Sequence, residues 1–140
     1  MAADDLNDPE DLELEDPELL PNGFAQPGVT RVSEVAGIPV ISLIGEHDLS
    51  TRTHLRLELD RLCERGSPVI VDLAAADFID STVLQTLISV GRLESPGSSP
   101  ALVIVAAPAT PPDRLLRLVN MSAVIPTFES RDQAVAFLGR

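Results

Sequence analysis

The sequence predicts an α/β fold: a mixed β-sheet with helices packed mainly on one of its faces. Three observations carry this. The short aliphatic runs IPVISLI, PVIVDL and ALVIVAA have the length and composition of buried strands. Between them lie helix-length segments whose apolar residues recur at i, i+4 and i+7. The chain of 140 residues is 44% apolar and only 3% aromatic, all of it Phe, so one aliphatic core of ordinary domain size is expected.

The elements follow in order. Residues 30–35 alternate weakly and are read as a first strand. Residues 38–44 form a second, buried strand that ends at Gly45. Asp48 or Ser50 then caps a helix over 51–65, with Leu55, Leu59 and Leu62 on one face and Gly66 closing it. A strand over 68–73 follows. The next helix starts near Ser81 and runs to about Leu93, with Leu84, Leu87, Ile88 and Gly91 inward. Residues 95–100 form a turn-rich loop. The uncharged run 101–107 is a strand buried on both faces. Thr110 before Pro111 and Pro112 starts a helix that reaches about Met121 and presents Leu115, Leu116 and Val119. A short strand over 125–128 is followed by Ser130 and Gln133, the spacing of a capping box. They open a last helix with Ala134, Phe137 and Leu138 inward. The order is ββαβαβα(β)α, strands alternating with helices.

Charge divides the chain. Residues 1–22 hold nine acids and no base, within a net charge of -12 from 22 acids and 10 bases. With Pro9, Pro17, Pro21 and Pro27 breaking any long helix, residues 1–29 read as a solvated, disordered acidic tail before a domain at 30–140. All ten bases are Arg, which excludes lysine Schiff-base chemistry and the lysine of a phosphate-binding loop. The acidity argues against nucleic acid as a partner. The single Cys63 excludes a disulfide framework and suits a reducing compartment. The N-terminus shows neither the basic nor the apolar region of a secretory signal. No run approaches the roughly 20 apolar residues of a membrane span, so a cytoplasmic protein is expected.

Few residues offer chemistry. His47 and His54 sit near a predicted helix start and are read as solvent-facing. They share no recognised metal-ligand spacing with Asp48, and no G-x-S-x-G elbow holds Ser81 as a nucleophile, so no metal, cofactor or enzymatic activity is expected. Cys63 lies beside Leu59 and Leu62 and reads as a small core residue. Two polar turns remain, Gly45–Thr51 and Phe78–Leu84, each after a strand-like segment. If those strands are parallel neighbours, both helix starts share one end of the sheet. Ser81 then has two readings: a helix N-cap, or a phosphorylation site whose added charge the free amides of the helix start tolerate.

The two turns, Gly45-Glu46-His47-Asp48 and Asp80-Ser81-Thr82-Val83-Leu84, resemble the STAS domain of bacterial anti-sigma factor antagonists, as do the VIVDL strand and the terminal RDQAVAFL. The resemblance covers about residues 30–139. It implies that Ser81, the first hydroxyl after Asp80, accepts phosphate from a serine kinase that is itself the anti-sigma factor. A serine phosphatase reverses the step. Unphosphorylated protein binds the anti-sigma factor and releases a sigma factor, making the chain a transcription regulator. The partner face implied comprises Glu46, Asp48, Ser50, Thr51, Asp80, Thr82 and Val83. One departure stands out: the family usually carries Gly where this chain has Val83, at the helix start where a partner docks. That departure, with the acidic tail, keeps a rival open: a constitutive scaffold or accessory module of a stressosome-like or transporter assembly, without phosphorylation. The Arg-only, Ala-rich composition is compatible with a GC-rich bacterial genome.

Overall fold

The computed structural model describes residues 28–92 and 100–139. The acidic segment 1–27 and most of the expected loop at 95–100 lie outside the described residues. Among the described residues six strands and four helices follow in the order β1 (Val29–Val35), β2 (Ile38–His47), α1 (Leu49–Cys63), β3 (Val69–Asp72), β4 (Ala76–Ile79), α2 (Ser81–Gly91), β5 (Leu102–Val105), α3 (Pro111–Leu118), β6 (Thr127–Phe128) and α4 (Arg131–Leu138). A 3-10 turn, Met121–Ala123, precedes β6.

The sheet runs β1-β2-β3-β5-β6, with β4 paired to β2 off this path. Only β1 is antiparallel; it joins β2 through the tight turn at Ala36 and Gly37, both at positive φ. The strand β2 is the longest and serves two parallel partners. Residues Val40–Ser42 pair with β3, and Gly45–His47 pair with β4. Leu43 and Ile44 separate the two ladders, and the second shifts register within itself: Gly45 lies opposite Ala76 but Glu46 opposite Phe78, leaving Asp77 of β4 as the extra residue, while Gly45 has φ +84°. This left-handed conformation is costly for any residue with a Cβ.

Strand alternation sorts the core into two layers. Ile41, Leu43, Val69, Val71, Leu102 and Ile104 face α1, α2 and α3, which contribute Leu55, Leu59, Leu62, Leu84, Leu87 and Leu116. Val40, Ile70, Val103 and Val105 face the other way, onto Ala134 of α4 and its neighbours Val135, Phe137 and Leu138. Three helices on one face and one on the other is the expected arrangement. The strand β5 is fully buried along its length, as its uncharged sequence requires.

Three expectations are corrected. The strand β4 falls in a segment read as a turn. Only Ala76 and Ile79 of its four residues are buried, so no period of two marks it. Second, β2 does not end at Gly45; pairing with β4 carries it on to His47. Third, Val29, placed in the tail, begins β1. The capping expectations hold: Thr110 Oγ1 accepts from the Asp113 amide at 3.3 Å, and Ser130 Oγ accepts from the Gln133 amide at 3.2 Å.

Candidate functional site

The ends of β2 and β4 bring the two polar turns together. Glu46 lies opposite Phe78 and His47 opposite Ile79 in parallel register. The next residue of each chain is an aspartate that caps a helix, so Asp48 and Asp80 occupy equivalent positions on adjacent strands.

The caps share one design. Asp48 is extended (φ -143°) and its Oδ1 accepts from the Ser50 amide at 2.9 Å and the Ser50 hydroxyl at 2.6 Å. Those bonds, the hydroxyl's first, hold the Asp48 carboxyl below the usual carboxylate range. Asp80 is likewise extended (φ -112°). Its Oδ1 accepts from the Thr82 amide at 2.9 Å, the Val83 amide at 3.2 Å and the Thr82 hydroxyl at 2.6 Å. Each helix start therefore carries a capping carboxylate and, two residues on, a hydroxyl donating back to it. Of the two caps offered by the sequence for α1, Asp48 is the one used. Ser81 is not a cap at all: it is the first helical residue of α2 and is exposed. Because Asp80 takes the Thr82 and Val83 amides, the Ser81 hydroxyl takes no part in holding the helix end.

The remaining candidates divide by exposure. Ser50 is exposed, while Glu46, Thr51 and Thr82 are half-buried at the same end of the sheet. Val83 is different. It is 0% exposed and belongs to the main core, so its side chain presents nothing to a partner and the extra bulk is absorbed inside. Two apolar residues that sequence reasoning passed over lie beside this end. Leu49, the first residue of α1, is 60% exposed, and Phe78 of β4 is 46% exposed. Both sit in segments that read as polar turns, and only their exposure reveals them.

His47 overturns its expected solvent-facing position. It is fully buried because β2 runs on to include it. Its Nε2 lies 3.2 Å from the Val29 carbonyl and its Nδ1 3.1 Å from Thr51 Oγ1. A carbonyl only accepts, so Nε2 carries the proton when the ring is neutral, and Nδ1 shares the Thr51 hydroxyl with the Asp48 carbonyl, 3.2 Å from Thr51 Oγ1. Burial lowers its pKa below the ordinary value. Gly28 is required here: a Cβ would stand 2.3 Å from the Glu46 carbonyl oxygen and 3.0 Å from the His47 ring. With both ring nitrogens committed, His47 is a structural clasp between β1 and α1, not a base for Ser81. His54 is exposed, as expected, and meets Thr30 Oγ1 at 3.0 Å. Cys63 is half-buried against the core, and burial pushes its thiol pKa up, away from the reactive thiolate. Among the described residues no cluster of three metal-ligating side chains occurs, and no helix is long and apolar enough to cross a membrane.

A mixed sheet with two capped helix starts at one end, an exposed Ser at the head of the second helix and apolar residues alongside defines a small domain built around a surface. The STAS domain model matches residues 30–134, and the chain belongs to the STAS domain family. Among solved structures, an anti-sigma factor antagonist from Mycobacterium paratuberculosis is similar at a TM-score of 0.69 and 25% identity, over 81% of this chain and 96% of that one. A candidate anti-sigma factor antagonist from Thermotoga maritima is similar at 0.58 and 17%, over 79% and 95% of the two chains. The anti-sigma factor antagonist SpoIIAA in its unphosphorylated form is similar at 0.54 and 14%, over 80% and 98%. The same fold is kept in the phosphorylated form of this Bacillus protein, at 0.51 and 15%, over 77% and 97%. No curated protein sequence gives a significant match.

Proposed function

We propose that this chain is an anti-sigma factor antagonist, a cytoplasmic regulator and not an enzyme. In this reading it binds an anti-sigma factor kinase through the end of the sheet where α1 and α2 begin, and phosphorylation of Ser81 ends that binding. The observation that carries the reading is the division of labour between Asp80 and Ser81. The carboxylate holds the helix end, which leaves the neighbouring hydroxyl exposed and free for modification. A phosphate there adds about -1.5 to -2 of charge beside Asp80 and on the side of Asp48. Like charges so placed oppose an anionic or closely packed partner surface. Leu49 and Phe78 supply apolar contact at the same end.

The buried position of Val83 favours this reading over a constitutive module. The bulk that departs from the family's Gly lies inside the domain and leaves the docking surface unobstructed. Titration calorimetry of the wild type, Ser81→Ala and Ser81→Asp against an isolated ATP-binding anti-sigma partner tests it, alongside phosphopeptide mapping. Wild type and Ser81→Ala bind alike before phosphorylation, Ser81→Asp binds more weakly, and phosphate maps to Ser81. Equal affinities in all three with no phosphate on Ser81 refute the switch and leave the constitutive module standing.

A further inference from the structure

Helices α1 and α2 leave between them a cleft of about 360 Å³, lined by Arg52, Arg56 and Leu57 from α1 and by Thr82, Gln85 and Thr86 from α2. The lining holds two guanidinium groups and no carboxylate. Arg56 is fixed from behind by Asp60, Nε to Oδ1 at 3.2 Å, and by Ser89, Nη1 to Oγ at 2.8 Å. Among the described residues Arg52 has no carboxylate partner. Leu57 is 60% exposed at the rim. A cationic cleft edged by an aliphatic side chain fits an acidic, leucine-bearing peptide segment.

The chain itself carries such a segment. Residues 11–20, DLELEDPELL, hold five acids, four leucines and no base. The attachment point is also suitable. Val29 and Thr30 are tied to His47 and His54, so the chain enters β1 along the flank of α1. Residues 21–28 span up to roughly 26–29 Å when extended. A helix with its side chains is only about 10–12 Å across, so the segment can pass over α1 to reach the cleft.

We propose that residues 11–20 dock intramolecularly in the cleft between α1 and α2, with carboxylates on Arg52 and Arg56 and leucines against Leu57. Tethering gives such a segment an effective concentration of order millimolar, so a weak contact suffices to populate the docked state. Thr82 lines the cleft and neighbours Ser81. If the partner face is the one proposed above, the docked segment therefore competes with the partner; the docking itself does not depend on that reading.

Paramagnetic relaxation in the full chain tests this. A nitroxide is placed by Asn7→Cys in a Cys63→Ala background. Amides of residues 52–57 and 82–86 should lose about half their intensity at low salt, and recover near 1 M salt, where the screening length falls to about 3 Å. The variant Glu13→Gln, Glu15→Gln, Asp16→Asn, Glu18→Gln should abolish the effect without touching the folded domain, and Arg52→Glu should weaken it. Broadening confined to the neighbourhood of Gly28 would overturn the proposal, as would broadening that survives neutralisation of the segment. So would broadening that passes from a labelled to an unlabelled molecule in mixed samples, since the occupant would then be a second copy. Neutralising the segment should also strengthen partner binding in calorimetry. Unchanged partner affinity, with the broadening intact in the wild type, would count against the partner face and not against docking.

Discussion

Arg131, in the first turn of α4, donates from Nε to Asp72 Oδ2 at 2.6 Å and from Nη2 to Ser42 Oγ at 3.0 Å, tying the last helix to two central strands. Asp72 is 7% exposed and its other oxygen accepts from the Ala74 amide at 2.9 Å. Arg131→Ala removes the cation and leaves a nearly buried carboxylate with only that amide. Because the guanidinium is partly open to water, the loss should be about 1–3 kcal/mol, read from urea unfolding. A double-mutant cycle with Asp72→Asn should show coupling between the two sites.

The caps of α2 should separate cleanly by mutation. Asp80→Ala removes the acceptor of three hydrogen bonds and should cost about 1 kcal/mol or more, with Asp80→Asn retaining most of the stability. Ser81→Ala lies at an exposed first-turn position without a capping bond, so its stability should stay within about 0.5 kcal/mol of wild type. Thermal unfolding of the three variants checks the order, and a reversal would return the cap to Ser81.

The clasp at His47 makes stability depend on pH in a defined direction. Its folded-state pKa lies below the ordinary 6.5, so the unfolded chain takes up the proton first. Stability from this group is fully present above pH 6.5 and falls as pH drops from there through the folded-state pKa. Urea midpoints measured from pH 7.5 downward should decline in that interval. The decline should flatten in His47→Gln.

Close packing at the end of α2 gives a further check. A Cβ on Gly91 would stand 2.7 Å from both Cγ and Cδ1 of Leu102 and 3.1 Å from Ile125 Cδ1. The branch point of Leu102 cannot swing away within a buried strand. Gly91→Ala should therefore destabilise by about 1–3 kcal/mol, despite alanine's better helix propensity. Chemical denaturation measures it.

These features differ in how far the sequence exposes them. Strands β3 and β5 are legible as unbroken aliphatic runs because they are buried on both faces, and the inner faces of α1 and α2 because one-sided burial imposes a helical period. The strand β4 is not, because Asp77 and Phe78 both face outward and its pairing comes wholly from β2. Asp80 and Ser81 are both favourable capping types, and only the extended backbone at Asp80 assigns the role. The position of His47 is hidden for a related reason: Gly45 signals a strand end, yet at positive φ it stays within β2, which runs on to pair with β4. The pairing of the two polar turns was legible as a motif, whereas Leu49, Phe78 and the arginine cleft depend on which sides of the elements meet solvent.

The division of β2 between two partners has a kinetic consequence. The ladder from Gly45 to His47 with β4 can open while the ladder from Val40 to Ser42 with β3 stays closed, because the two use different residues of β2, with Leu43 and Ile44 between them. Opening there costs less than unfolding the whole domain. Amide protons of β4 and the first turn of α2 should then exchange with solvent through a local excursion, while those of β3 and β5 wait for global unfolding. The end of the sheet that carries Ser81 is thereby the part of the molecule able to loosen first, and native-state hydrogen exchange should record it as a separate, faster tier of protection.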